Sequence, residues 1–232
     1  MAILATGDEL LPPGSAPGPD QIIASNSYGV SAIAAEAGAR ILDLGIVRDD
    51  AAAISERLDR ARKDGADVIV SLGGASVGEH DLMRETLLAS GVTLDFWKIA
   101  MRPGKPLMVG RRDATRYLGL PGNPVASLVC STLFLKPLLA RLGGRPFRAD
   151  IRDAVLAEPM HANDLREDYV RARLQDRDGT LLATPFSVQD SSMLRLLAAA
   201  DALIIRPPHS PAATAGAPCR VLMLRQPGPP PR

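Results

Sequence analysis

Five short stretches of this chain carry residues able to do chemistry: Thr6-Gly7-Asp8-Glu9-Leu10, Arg48-Asp49-Asp50, the loop SLGGASVGEHD from Ser71 to Asp81, Met101-Arg102-Pro103-Gly104-Lys105-Pro106, and Leu118-Gly119-Leu120-Pro121-Gly122-Asn123-Pro124. Glu9 follows directly on an apolar run, where a carboxylate needs a partner or a function. Asp49 and Asp50 precede a helical pattern, so one of them serves as the N-cap and the other is left over. Asp81 also opens a helix, and either caps it or faces a ligand. Glu9, one of the paired aspartates and Asp81 together offer the carboxylate oxygens that Mg²⁺ takes beside water and substrate phosphate.

The glycine-rich loop is either an anion cradle or a plain strand–helix turn. Gly73, Gly74 and Gly78 let the backbone approach a ligand and expose N–H groups beside a helix start. It is neither a Walker loop, since no Lys-Ser/Thr follows Gly78, nor GxGxxG. Arg102 and Lys105 are two cations in a turn stiffened by proline, suited to an oxyanion or simply solvated. Asn123 and Pro124 open a long apolar helix as N-cap and first residue, aiming its free N–H groups outward.

Elements that would position these residues are legible in the patterning. Ala2–Thr6, Arg40–Val47 and Asp67–Ser71 are short apolar runs, and between them Asn26–Ala37 and Ala51–Lys63 carry helical spacing. That alternation predicts right-handed crossovers and a mostly parallel sheet covered on both faces, an α/β fold. A helix at Asp81–Ala89, a strand at Thr93–Ile99, a hairpin of Leu107–Gly110 with Tyr117–Leu120, and a helix at Pro124–Leu142 complete it. Its strand ends bring carboxylates and the glycine loop to one edge, where ligands of open α/β sheets bind. After Pro146 the runs Asp150–Glu158, Asp168–Asp176, Thr180–Thr184, Ala202–Arg206 and Arg220–Arg225, with one short helix at Met193–Ala200, predict a small all-β module. The expected boundaries are 1–147, 148–226 and a disordered tail over 227–232.

Composition narrows the function classes. A net charge of +1 excludes a general nucleic-acid binder. Cys130 and Cys219 form no CxxC pair, and Cys130 reads as a buried small hydrophobe. His80, His161 and His209 are too scattered for a histidine-rich zinc site. No stretch reaches the ~20 apolar residues of a membrane span and no leader precedes the first strand, which predicts a soluble cytoplasmic protein. The chain opens directly in a strand-like run, read either as a domain starting there or as one continued upstream.

Taken in order, TGDEL, RDD, SLGGASVGEHD, RPGKP and LPGNPVAS resemble the signature series of the molybdopterin molybdenumtransferases, the family that includes the gephyrin E domain. The resemblance covers residues 2 to about 145, and the β-rich remainder, including QDSSMLRLLAAADALIIRPP, is similar to the family's small C-terminal β-barrel domain. It implies a three-layer α/β/α molybdopterin-binding domain followed by the barrel. The implied reaction inserts molybdenum from molybdate into adenylated molybdopterin and releases AMP, with help from Mg²⁺. It also implies Glu9, Asp49, Asp81 and Lys105 as catalytic residues, the first three as metal ligands. The implied substrate-binding set is Thr6, Gly7, Asp8, Asn26, Gly73, Gly74, Ser76, Gly78, Arg102, Gly122, Asn123 and Pro124. Arg102 stands where family members also use lysine, and His80 where a small residue is expected. The family carries two further N-terminal domains, one that drives dimerisation and one that helps to form the partner subunit's active site. The partners the resemblance suggests are the pterin substrate, a molybdopterin adenylyltransferase and a second copy of the chain in a homo-oligomer. Two rivals remain: a molybdopterin-binding module without catalysis, and an adenylyltransferase-like enzyme of the same superfamily.

Overall fold

AILAT is apolar at every position and becomes β1 (Ala2–Thr6), buried along its whole length as befits a strand with both faces covered. The computed structural model describes residues 1–73 and 81–225. The expectations placed on Gly74, Ser76, Gly78, His80 and the tail over 227–232 therefore lie outside the described residues. By contacts the chain divides into two units, Met1–Ile99 with Gly104–Phe147, and Ala100–Pro103 with Arg148–Arg232.

In the first unit β1 is followed by a two-residue ribbon, β2 (Leu10–Leu11) with β3 (Ile22–Ile23), then α1 (Asn26–Glu36), β4 (Leu42–Val47), α2 (Ala51–Lys63), β5 (Val68–Leu72), α3 (Leu82–Ala89) and β6 (Thr93–Phe96). After β7 (Met101–Arg102), which pairs within the second unit, come β8 (Met108–Arg112) and β9 (Thr115–Leu120). The sheet order is β4-β1-β5-β9-β8-β6, with β4, β1, β5 and β9 parallel and β8 antiparallel to both of its neighbours. The chain steps from β1 out to β4, then back across β1 to β5. With right-handed crossovers, that reversal sends α1 and α2 to opposite faces and opens a crevice at the strands' carboxyl ends.

Both faces are apolar for that reason. Ala2 and Leu4 of β1 and Ile69 of β5 join Ile54, Leu58 and Ala61 of α2 and Met83 and Leu87 of α3 in one core cluster. The apolar positions of α2 recur at helical spacing, Asp50 accepts a hydrogen bond from the Ala53 N–H at 2.8 Å, and Arg60, Arg62 and Lys63 sit at the negative end of its dipole. On the other face α1 meets α4 (Pro124–Cys130). There Gly29 permits close approach, since a Cβ on it would lie 2.7 Å from Leu128 Cδ2.

The hairpin β8–β9 is longer than the sequence suggests, taking in much of RRDATR, with Arg111 opposite Arg116 and Arg112 opposite Thr115. Those charged residues project from the solvent-exposed end of the ribbon, where strand pairing needs no apolar alternation. Asp113 turns the chain with φ +53°.

The helix predicted over Pro124–Leu142 forms, but as α4, a π-helical segment at Ser131–Leu135, and α5 (Lys136–Leu142). Pro137 explains the interruption. It cannot donate to the carbonyl four residues back and its ring crowds that group, so the ladder shifts ahead of it, with Lys136 N–H bonding to Ser131 O. The hydroxyls of Ser131 and Thr132 bond back to the Ser127 and Leu128 carbonyls at 2.8 and 2.9 Å. This helix also corrects the expectation about membrane spans. At 19 residues and a mean hydropathy of 1.5 it is long and apolar enough to cross a membrane by length and composition. Ser127, Ser131, Thr132, Lys136 and Arg141 interrupt it, so it holds no unbroken apolar run of that length. Half of it is buried inside the protein, as in the core helix of a folded domain.

The second unit contains β10 (Ile151–Leu156), β11 (Glu167–Arg177), β12 (Thr180–Pro185), α6 (Leu194–Ala199), β13 (Ala202–Arg206) and β14 (Pro218–Met223). Their order is β12-β10-β14-β13-β11, and β11 pairs again with β12, closing a five-stranded barrel without free edges. The short β7 adds to β11 in parallel. The interior is filled by Ala154, Leu156, Ala172, Leu174, Ala183, Ala202, Ile204 and Val221. Alanine at half of these positions suits so narrow a barrel. Asp178-Gly179, both at positive φ, make the tight turn between β11 and β12.

Candidate active site

The carboxyl ends of β1, β4, β5 and β9 are Thr6, Val47, Leu72 and Leu120. Because these strands are parallel neighbours, the segments that follow them emerge on one edge of the first unit.

The segment after β1 is held by the β2–β3 ribbon. Ile22 N–H donates to the Glu9 carbonyl at 2.9 Å, Ala24 N–H to the Leu11 carbonyl at 2.8 Å, and Leu10 N–H to the Gly7 carbonyl at 3.2 Å. Glu9 therefore projects from a fixed backbone, although its side chain is exposed. Gly7 has φ +151°, and a Cβ there would stand 2.5 Å from Glu9 Oε2, so the Glu9 carboxylate folds back over the glycine. Sequence reading missed this ribbon because two-residue strands fall below any periodicity.

After β4 the two aspartates divide their work. Asp50 caps α2, while the Asp49 N–H donates to Asp8 Oδ1 at 3.3 Å. Partial burial first, and then the Asp8 and Glu9 carboxylates, push the Asp49 pKa above its ordinary value of 3.8, against a lowering by the Asp8 backbone N–H facing its carboxylate. Among the described residues none of these three carboxylates is in an ion pair. The arrangement is a like-charged cluster at the sheet edge.

After β5, Gly73 takes φ +83°, and a Cβ there would lie 2.5 Å from the Thr6 carbonyl oxygen. Glycine is required for this turn both by conformation and by room. Gly73 N–H bonds to Leu120 O at 3.3 Å, and a Cβ on Gly122 would meet Gly73 Cα at 3.7 Å. The two glycine turns thus lie against each other. Asn26, at the start of α1, donates from Nδ2 to the Gly122 carbonyl at 2.6 Å, fastening the LPGNP turn from the neighbouring helix. Asn123 holds the N-cap position of α4 with extended backbone but makes no side-chain capping bond, and Pro124 opens the helix.

Three further expected residues lie outside this cluster of contacts. Asp81 is buried and caps α3, its Oδ1 accepting from Arg84 N–H at 2.9 Å. Arg102 falls in the second unit, where its guanidinium reaches Asp168 at 2.9 Å and Asp164 at 3.1 Å, so its charge is already paired. Lys105 is exposed in the first unit, its carbonyl accepting from Ile99 N–H at 3.0 Å. Arg102 and Lys105 therefore belong to different units. Nor are Glu9, Asp49 and Asp81 gathered as ligands: among the described residues no group of three or more His, Cys, Asp or Glu side chains is disposed to hold a metal ion. What remains fits a water-rich Mg²⁺ arriving with a phosphate, which needs one or two carboxylates and no complete protein cage.

Comparison with known proteins places this geometry in context. A family described as "Probable molybdopterin binding domain" matches residues 2–141, and one described as "MoeA C-terminal region (domain IV)" matches 153–224. A molybdopterin molybdenumtransferase of Nostoc sp. is 36% identical over 77% of this chain and 42% of its own length. The Bacillus subtilis molybdopterin molybdenumtransferase is 34% identical over 97% of this chain and 53% of its own length. A solved structure of the molybdopterin biosynthesis moea protein from Pyrococcus horikosii superposes with a TM-score of 0.81 at 27% identity, covering 96% of this chain and 53% of that one. The chain spans about half the length of the curated relatives it matches.

Proposed function

The chain belongs to the molybdopterin-binding domain family, and from that premise we propose that it inserts molybdenum from molybdate into adenylated molybdopterin and releases AMP. The observation that carries this reading is the convergence of Asp8, Glu9 and Asp49 with the Gly73 and Gly122 turns at the carboxyl ends of β1, β4, β5 and β9. Cleaving a phosphoanhydride requires a positioned nucleophile and neutralisation of charge on the leaving phosphate. The glycine turns supply backbone approach for the phosphate, and the Asn26 hydrogen bond keeps the second turn in place. Asp49, whose carboxylate holds a proton more readily than an ordinary aspartate, accepts at Oδ a proton of the water that attacks the anhydride phosphorus as the P–O bond to AMP breaks and AMP leaves. Glu9 is the residue that would hold Mg²⁺, which when bound neutralises phosphate charge, and Asp49 stays free to take the proton. Lys105, exposed and in no ion pair among the described residues, offers a cation to the phosphate. Asp81 serves by anchoring the start of α3.

We place the reaction in the cytoplasm, with the adenylated pterin delivered by a molybdopterin adenylyltransferase and with a homo-oligomer as the working form. The match of the C-terminal unit to a MoeA domain favours this reading over an adenylyltransferase-like enzyme.

The test is calorimetric titration with adenylated and free molybdopterin, with and without Mg²⁺, followed by molybdate. The expected outcome is binding of the adenylated form and release of AMP once molybdate is added. Binding without AMP release would leave a pterin-binding module, and no binding would overturn the functional reading.

A further inference from the structure

Trp97, the chain's single tryptophan, follows β6 directly and is 45% exposed. β6 runs antiparallel to β8, β8 antiparallel to β9, and β9 parallel to β5. β6 therefore points the same way as the strands that carry the site, and Trp97 emerges on the same edge of the first unit. Across the sheet order β9-β8-β6 it stands about 10 Å from the end of β9 that leads into the Gly122 turn. The guanidinium of Arg84, in the first turn of α3, lies over the indole with its carbon 4.7 Å from the ring centroid. Both partners are anchored. The Arg84 N–H donates to Asp81 Oδ1 at 2.9 Å, and the Ile99 N–H, just beyond Trp97, donates to the Lys105 carbonyl at 3.0 Å. Among the described residues Arg84 is in no ion pair, and its buried Nε has no hydrogen-bond partner. The ring, and not a carboxylate, holds this cation in place. Core packing does not account for the pair: Leu94 of β6 packs against the core cluster, while Trp97, past the end of the strand, stays exposed.

We propose that Trp97 and Arg84 form the subsite for the adenylate end of the substrate, the adenine ring stacking on the indole and the guanidinium drawing the nucleotide's negative charge. The assignment rests on the functional reading above and extends it from the phosphate to the base. A purine presents a π-face to an exposed aromatic side chain and stacks on it without any hydrogen-bond readout. The nucleotide also supplies the anion that Arg84 lacks, and a guanidinium lying on a ring keeps its outer N–H groups for such a charge. The separation suits this ligand. A nucleotide whose phosphate lies against the Gly122 turn carries its base one nucleoside length along the sheet edge, toward the end of β6.

The experiment uses the full chain, whose single tryptophan makes intrinsic fluorescence a direct reporter of the subsite. AMP should quench it saturably, and inorganic phosphate should leave it unchanged. By calorimetry Trp97→Ala should bind adenylated molybdopterin and AMP about tenfold more weakly, equivalent to about 1.4 kcal/mol, and free molybdopterin as tightly as the wild type does. Trp97→Phe should lose less, since the smaller ring still stacks, and Arg84→Gln should weaken AMP more than adenosine. Melting curves of the three variants should lie close to that of the wild type, because neither side chain belongs to the core cluster. Equal weakening of free molybdopterin by Trp97→Ala would put the pterin on the indole and overturn the adenine assignment. AMP that binds by calorimetry yet leaves the fluorescence unmoved would overturn it too. Equal affinity of wild type and Trp97→Ala for adenylated molybdopterin would overturn it while leaving the functional reading intact. Failure of the wild-type chain to bind either pterin would overturn both.

Discussion

Asp49 and Asp50 are adjacent and chemically identical, yet their surroundings give them opposite roles. Asp50 is spent on the helix N-terminus, and Asp49 is held among like charges. Partial burial, and then Asp8 and Glu9, raise the Asp49 pKa, so the fold favours its protonated form. Its contribution to stability is present below the ordinary carboxylate range and is lost as pH rises through the raised value. Asp49→Asn removes that dependence. Melting curves should show the variant gaining on the wild type from acidic to neutral pH, while AMP release falls by about 10²–10⁴-fold, the usual worth of a general base. Melting temperatures that track each other at every pH would show that the carboxylate cluster is not coupled. The pair was legible in sequence as one cap and one spare, but which was which depended on the backbone φ and ψ at Asp50, and no local pattern encodes that.

At the scale of elements, the site is built from strand ends and the starts of helices. Asp50→Ala should therefore cost about 1 kcal/mol through loss of the α2 cap. It should lower the melting temperature by a few degrees, about 2–4 °C per kcal/mol for a chain of this size, with pterin affinity unchanged. A loss of affinity larger than the loss of stability would mean that Asp50, and not Asp49, serves the ligand. Helix and strand positions in the first unit were readable from periodicity, since α2 buries Ile54, Leu58 and Ala61 on one face and β1 is apolar throughout. The β2–β3 ribbon and the π segment before Pro137 were not. The ribbon is fixed by pairing between Glu9–Leu11 and Ile22–Ala24, and the π segment by a local loss of one backbone donor.

The whole molecule consists of two units with separate cores. In the second, Asp201 is buried, accepting from Leu174 N–H at 3.0 Å and Arg225 Nε at 2.9 Å, and so ties the last described residues to the barrel. Asp201→Ala leaves the Leu174 donor unpaired and should destabilise this unit by about 1–3 kcal/mol. Calorimetry should then resolve two transitions, the lower one belonging to the barrel, with the first unit's melting unmoved. A single transition shifted as a whole would show that the units unfold together.

The sequence by itself determined the alternation of strand and helix, the change to an all-β second half, and the five motifs with their order. These rest on hydrophobic periodicity, turn chemistry and residue type, all local. The tertiary structure decided which of those residues share an environment. It set Asp49 beside Asp8, stacked Gly73 on Thr6 and Gly122, spent Asp81 on a helix cap, and paired Arg102 with Asp164 and Asp168 in the other unit. Those outcomes depend on strand order and crossover direction, which bring together residues far apart in the chain, and on competition among partners that only the folded backbone brings within reach.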